Sequence, residues 1–103
     1  MKKYRQGDVY IFRRAKKKVD TREIRQQILA EGEVTGHKHL LVAEQETKVR
    51  IANDGNGFYL DISGGTATVR HEEHVPITLA PGSYDVVIQR EYDPVLYQRR
   101  VMD

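Results

Sequence analysis

Apolar and polar residues alternate along much of the chain with a period of two. The clearest case is Phe58, Leu60 and Ile62, which are separated by Tyr59 and Asp61. Successive side chains of a strand point to opposite faces, so this pattern predicts a strand with one buried face. Similar patterns occur at 48–51, 84–89 and 95–101, whereas residues 9–12 (VYIF) are apolar throughout and predict a strand with both faces covered. The chain is therefore expected to consist mainly of β-strands.

Turn sequences separate these segments at intervals of roughly ten residues, as in small all-β domains. They lie at 53–57, 63–65, 80–82 and 93–94. The Asp-Gly and Asn-Gly steps within 53–57 suit the positive φ angles of tight hairpins. We therefore predict an all-β fold, a small and mostly antiparallel barrel or sandwich.

The stretch between residues 15 and 34 follows no single pattern. Asp20 and Glu23 could form a capping box at the start of a helix, but the apolar stripe that would follow is thin. We predict an exposed loop at 15–22 and a strand at about 24–34, with at most one short helical turn near its start.

The composition limits the organisation of the protein. A chain of 103 residues with 39% hydrophobic residues builds one core, so residues 1–103 are expected to form a single domain. The absence of cysteine excludes disulfides, thiolate metal sites and cysteine nucleophiles. The start of the chain does not resemble a signal peptide, and no apolar run approaches the roughly 20 residues of a membrane span. We expect no membrane partner and a soluble, cytoplasmic protein.

Positive charge is concentrated near the N-terminus, although the net charge is only +2. The sequence RRAKKK contributes Arg13, Arg14, Lys16, Lys17 and Lys18, which are expected to lie in an exposed basic loop around 13–22. Such a cluster can bind phosphate groups if the fold gathers it on one face. A solvated loop rich in lysine is the simpler interpretation.

The four histidines form two short clusters. His37 and His39 lie in TGHKH and share a strand face, because they are two residues apart. In the second cluster, HEEH, His71 continues the apolar row of Ala67 and Val69 toward the interior. His74 falls on the opposite face unless the chain bends before the following proline.

This pattern predicts a histidine-lined pocket that binds a divalent metal through His37, His39 and His71, with His74 or a glutamate as a fourth ligand. Neutral imidazoles with one open coordination position suit zinc, iron, manganese or nickel. Such a metal could polarise a small or phosphate-bearing substrate or activate a water molecule. The rings should then lie within roughly 3 to 5 Å of a common point. A separation beyond about 10 Å would exclude a shared site.

The first cluster resembles the first motif of the cupins, in which a glycine and an H-x-H pair precede a glutamate. Here these residues are Gly32 or Gly36, then His37 and His39, then Glu44. The resemblance implies a jelly-roll-like barrel with a metal bound by the histidines, the glutamate and a histidine from a later strand. Glu44 has the opposite strand parity, so it would join the histidines only across a β-bulge. The wider strings GEVTGHKH and HEEHVPITLAPGSYDV also resemble a family of small bacterial proteins with no assigned activity.

Three alternatives stay open. The histidines could be partly buried rings bonded to backbone or water. A metal-free protein could bind single-stranded nucleic acid or cleave RNA, with His71 and His74 as acid and base, the basic run on the phosphates and tyrosines stacking on bases. The tyrosines in question are Tyr10, Tyr59, Tyr84, Tyr92 and Tyr97, although an ordinary core also explains them. The chain could instead be a non-catalytic interaction module that pairs, or forms a homodimer, through a sheet edge.

Overall fold

The computed structural model describes residues 3–31 and 36–89. The predicted strand at 95–101, with Tyr92 and Tyr97, lies outside the described residues. Ten strands are present: β1 (Lys3–Gln6), β2 (Val9–Arg14), β3 (Arg22–Ile24), β4 (Gln26–Glu31), β5 (Lys38–Ala43), β6 (Lys48–Asp54), β7 (Gly57–Ser63), β8 (Ala67–Arg70), β9 (Ile77–Leu79) and β10 (Gly82–Ile88). The described residues contain no helix, so the all-β prediction is confirmed.

The strands form two antiparallel sheets, in the manner of a sandwich. The first has the order β1-β2-β10-β7-β6-β3, and the second has the order β4-β5-β8-β9. Neither sheet closes on itself within the described residues. The alternate positions that the sequence marks as apolar form the core, and they include Val9, Ile11, Leu41, Val49, Ile51, Leu60, Ile62 and Val69. The period of two therefore predicts most of the core positions, although Tyr59 of β7 is buried on the face that the pattern assigns to solvent.

Two of the tyrosines with a predicted stacking role belong to the interior. Tyr59 and Tyr84 are each 1% exposed. The Tyr59 hydroxyl accepts a hydrogen bond from the Lys17 amide and donates one to Ser83 Oγ. Tyr84 donates a hydrogen bond from its hydroxyl to the carbonyl of Ala80. These rings are held inside the fold and present no face for a nucleotide base.

The strand predicted at about 24–34 is divided between the two sheets. β3 pairs with β6 in the first sheet, whereas β4 pairs with β5 in the second. The chain changes sheet at Arg25, whose guanidinium donates to the carbonyls of Ala43 and Thr47. A pattern of alternating residues cannot reveal such a change, because both halves are extended. No helical turn occurs at its start.

The N-terminal hairpin was not predicted as two strands. β1 and β2 pair antiparallel from Lys3↔Phe12 to Gln6↔Val9, which leaves a loop of Gly7 and Asp8. Gly7 has a φ of 58°, the left-handed conformation that two-residue hairpin loops require. This tight turn fixes the position of Gln6 at the end of β1, facing the second sheet.

Candidate histidine site

The four histidines converge at one end of the sandwich. The ring centroids are 4.3 Å apart for His39 and His71, 4.5 Å for His71 and His74, 5.7 Å for His37 and His71, and 6.0 Å for His39 and His74. All of these separations are below the limit of about 10 Å beyond which a shared site is excluded. The two sequence clusters therefore meet in space.

Strand register explains why His39 and His71 are neighbours. β5 and β8 pair antiparallel, with Leu40 opposite Arg70 and Leu41 opposite Val69. Continuing this register by one residue places His39 opposite His71, and opposed side chains lie about 5 Å apart. His74 reaches the group because the chain bends at residues 72–74, directly after His71.

His39 is the buried member of the group, with 7% of its surface exposed. Its Nδ1 lies 2.8 Å from Gln6 Oε1. Gln6 is 2% exposed, and its Nε2 donates to the carbonyls of Val69 and Val75 at 3.2 and 3.0 Å. Because a carbonyl only accepts, these bonds fix the amide so that Oε1 faces His39. His39 therefore carries its proton on Nδ1, and Nε2 presents a lone pair.

Burial and neighbouring rings keep His39 neutral. Desolvation lowers the pKa of His39 to about 4, with further lowering by His71 and His74, while Asp8 and Glu72 act in the opposite direction. Because the proton of neutral His39 is on Nδ1, protonation of the ring would occur at Nε2 and would remove the lone pair there. The imidazole of His39 is therefore uncharged at neutral pH.

Acid should destabilise the fold through His39. Its folded pKa of about 4 lies below the value of 6.5 of an ordinary histidine, so the unfolded chain binds more protons between these two pH values. The free energy of unfolding should therefore fall as the pH drops from 6.5 toward 4, with a His39 contribution of about 3 kcal/mol. Urea unfolding at a series of pH values measures this slope, and NMR titration of the His39 ring measures the pKa. A His39 pKa near 6.5 would refute the assignment.

Gly7 leaves a cavity beside the imidazoles. A Cβ at this position would lie 3.3 Å from His74 Nε2 and 3.4 Å from His39 Nε2. The cavity has a volume of about 170 Å³ and is lined also by His71 and by Asp8 and Glu31. The lone pair of His39 thus opens into a small space that has two acidic residues among those lining it.

His71 also makes a defined hydrogen bond. Its Nδ1 accepts from the Glu73 amide at 3.0 Å, so the neutral ring carries its proton on Nε2. His37 lies on the outer side of His71, with its Nδ1 3.3 Å from Glu73 Oε1. Residues 72–74 are exposed, so this side of the group faces solvent.

Two histidines and a glutamate place ligand atoms close enough for a metal ion. One nitrogen each of His37 and His71 and one carboxylate oxygen of Glu72 lie within 4.8 Å of one another. The amide groups of Glu72 itself and of Lys38 lower the pKa of the Glu72 carboxyl. Glu72 Oε2 accepts from the Lys38 amide at 3.0 Å. Glu72 is therefore ionised at neutral pH, as a metal ligand must be.

Glu44, the carboxylate of the cupin-like motif, lies elsewhere. Its Oε1 accepts from Thr68 Oγ1 at 2.9 Å and is 3.7 Å from Arg70 Nη2. Thr68 and Arg70 are on the face of β8 opposite to the buried Val69. The strand parity of Glu44 thus directs it away from the histidines, as expected without a bulge.

The basic residues are separate from the histidines and paired locally. Arg13 donates to the Pro81 carbonyl at 2.9 Å, and ion pairs join Arg14 to Asp85 at 3.0 Å, Lys16 to Asp61 at 3.5 Å and Lys17 to Asp54 at 3.4 Å. Lys18 is exposed in the loop after β2. From Val9, beside the site, to Arg14, the strand extends about 17 Å. The cationic side chains therefore lie at the C-terminal end of β2 and in the loop that follows it, away from the histidines.

Sequence reasoning missed Gln6, Gly7, Asp8 and Glu72 as parts of this end of the fold. The step Gln-Gly-Asp between two short strands was a hairpin signal that would have brought Gln6 and Asp8 to one edge. Glu72 adjoins His71 and was covered only by the general expectation of a glutamate ligand.

No helix in the described part of the chain has the length and apolar character that a membrane span requires.

Comparison with known proteins gives one match. The model of a domain of unknown function, DUF8820, matches residues 5–89, which is more than half of the chain and includes all four histidines. No curated protein and no solved structure matches. The chain belongs to the DUF8820 family.

Proposed function

We propose that this domain binds one divalent transition metal through His37, His71 and Glu72. The observation that carries the proposal is the approach of these three ligand atoms to within 4.8 Å of one another. Metal–nitrogen and metal–oxygen bonds of about 2.1 Å place tetrahedral ligand atoms about 3.4 Å apart. Contraction by up to about 1.4 Å is needed, and rotation of the exposed Glu72 and of the half-buried His37 and His71 side chains can supply it.

The ligand types narrow the choice of metal. Two imidazoles and one carboxylate occur at catalytic zinc sites and at non-haem iron sites, and both kinds keep positions open for water or substrate. Manganese and nickel accept the same donors. A three-ligand site on the solvent side of the histidine group supports metal-assisted chemistry on a small substrate more than a structural role.

The proposal keeps only part of the cupin-like motif. His37 remains a ligand, but the carboxylate comes from Glu72 after β8 and not from Glu44 after β5. His39 is a neighbour of the metal site, since its ring is 4.3 Å from that of His71 and its Nδ1 bonds to Gln6. A jelly-roll relationship to the cupins is part of the hypothesis, and it depends on the H-x-H pair alone.

The nucleic-acid hypothesis receives less support from the geometry. Arg14 is about 17 Å along β2 from Val9, which adjoins the histidine cavity, so the side chains of the basic run are too far away to hold a phosphate on which the histidines act. Three of them pair with carboxylates. Asp8 and Glu31 border the histidine cavity, and their charge opposes the approach of a phosphate.

Two glutamates provide a matched test of the metal site. Protein purified without chelators or a histidine tag should contain about one equivalent of metal, and Glu72→Gln should lower the Zn²⁺ affinity at least about tenfold. The same change at Glu44 removes an outward-facing carboxylate and should alter the affinity less than about twofold. Elemental analysis and competitive Zn²⁺ titration measure both quantities. Absence of metal from the wild type, together with no Zn²⁺ binding, would refute the proposal.

A further inference from the structure

The cavity beside Gly7 shares only His71 with the proposed metal ligands. Its wall includes the buried ring of His39, and its opening exists because residue 7 has no side chain. At about 170 Å³ it has room for roughly five or six water-sized groups. It can therefore hold a small molecule or the end group of a larger one.

The hydrogen-bonding character of the cavity follows from Gln6. Because Gln6 Oε1 takes the Nδ1 proton of His39, the Nε2 atom that faces Gly7 can only accept. His39 Nε2 has no hydrogen bond within the described residues. A ring that is 7% exposed thus directs an acceptor into the cavity, and its partner must be a donor.

The charges of the cavity indicate a cation. Asp8 and Glu31 line it, and Asp8 is close enough to His39 to influence that ring electrostatically. No lysine or arginine is part of the wall. A ligand with both positive charge and N–H groups would satisfy the imidazole and the Asp8 carboxylate together, by charge-assisted hydrogen bonds.

The spacing favours an organic cation over a second metal ion. In the described part of the chain, the three ligand atoms within 4.8 Å of one another belong to His37, His71 and Glu72, a group without His39 or His74. His39 and His74 are therefore outside the compact ligand group, whereas an organic cation can accept more widely spaced partners through its N–H groups.

We propose that the cavity beside Gly7 binds a small organic cation with N–H donors, an ammonium or guanidinium group, with His39 Nε2 and the Asp8 carboxylate as acceptors. The site does not require the metal. If the metal binds, the cation lies beside His71, the residue that borders both sites.

The test uses the full chain after removal of metal, so that its result is independent of the metal proposal. Addition of ethylammonium chloride at pH 7 should shift the NMR signals of the His39 ring and the Gly7 amide in a saturable way. A dissociation constant in the millimolar range is expected for so few atoms. Tetramethylammonium has the same charge but no N–H donor, and it should not give a saturable shift.

Alanine substitutions at two glycines with the same backbone conformation distinguish filling of the cavity from backbone strain. Gly7→Ala places a methyl group between the imidazoles and should weaken ethylammonium binding more than about tenfold. Gly55 has a φ of 59°, and a Cβ there meets nothing within 4 Å, so Gly55→Ala should carry the strain without the loss of binding. If Gly7→Ala does not fold, Asp8→Asn provides the test instead, because Asp8 is an exposed turn residue. This change should weaken ethylammonium binding at least about threefold.

Three results would overturn the proposal. The first is no saturable shift with ethylammonium or guanidinium, and the second is an equal shift with tetramethylammonium. The third is wild-type affinity in folded Gly7→Ala or in Asp8→Asn. If divalent cations alone shift the His39 and Gly7 signals, the cavity is a second metal site and the assignment to an organic cation is wrong.

Discussion

Replacing His71 with alanine is expected to weaken Zn²⁺ binding at least about a hundredfold, since loss of even an outer partner of a metal ligand costs 10 to 100-fold. The free energy of unfolding should change by less than about 1 kcal/mol, because the ring lies at the solvent end of β8 and bonds only to an exposed amide. Competitive Zn²⁺ titration and urea unfolding measure the two effects.

His74→Ala is the comparison for this result. His74 is also a histidine of the cluster, but it is outside the group of ligand atoms within 4.8 Å of one another. Its removal should therefore cost much less Zn²⁺ affinity than the removal of His71. Equal losses for His71→Ala and His74→Ala would contradict the ligand set and favour the all-histidine site predicted from the sequence.

The hydrogen bond at His71 provides an additional signal of metal binding. A neutral ring cannot bind a metal through Nε2 while Nδ1 accepts from the Glu73 amide, because one ring nitrogen must keep the proton. Metal binding must therefore break this bond and release the amide. The Glu73 amide resonance should shift when Zn²⁺ is added, and an unchanged resonance in the metal-bound protein would exclude His71 as a ligand.

Replacing Gln6 with leucine is expected to destabilise the fold by about 3 kcal/mol, because a buried group that loses its partner costs about 1 to 3 kcal/mol. The substitution removes the acceptor for His39 Nδ1–H and the donor to the carbonyls of Val69 and Val75. The loss should appear as a lower urea midpoint at pH 7 with an unchanged slope.

Gln27→Leu is the matched control for the Gln6 substitution. Gln27 also lies on a strand, but its amide forms exposed hydrogen bonds to Ile28 and Arg22, which water can replace. Its substitution should change the free energy of unfolding by less than about 0.5 kcal/mol. If the two leucine variants are equally stable, the bonds of Gln6 do not join the sheets as described.

The fold was predictable where apolar residues recur at every second position of a strand. In β2 and β7, for example, Ile11 and Leu60 occupy alternate positions that are fully buried. The prediction failed where the chain changes sheet at Arg25, because extended backbone continues on both sides and only tertiary packing shows the break. It also missed β1, whose exposed residues Lys3 and Arg5 carry no apolar alternation.

The site was partly predictable for the same reason. Strand parity correctly placed His37, His39 and His71 together, because the register of β5 and β8 preserves the alternation between strands. The position of His74 depends on a bend that parity does not describe. Gln6 could not be identified, since its bond to His39 joins residues 33 positions apart and depends on the docking of two sheets.

The bonds of Gln6 also bear on the order in which the protein folds. They join the N-terminal hairpin to carbonyl groups 63 and 69 positions further along the chain. Contacts between such distant positions require closure of a long loop, and they form after local hairpins. We therefore expect the ring of His39 to be oriented after the local hairpins form, together with the long-range pairing of β2 and β10.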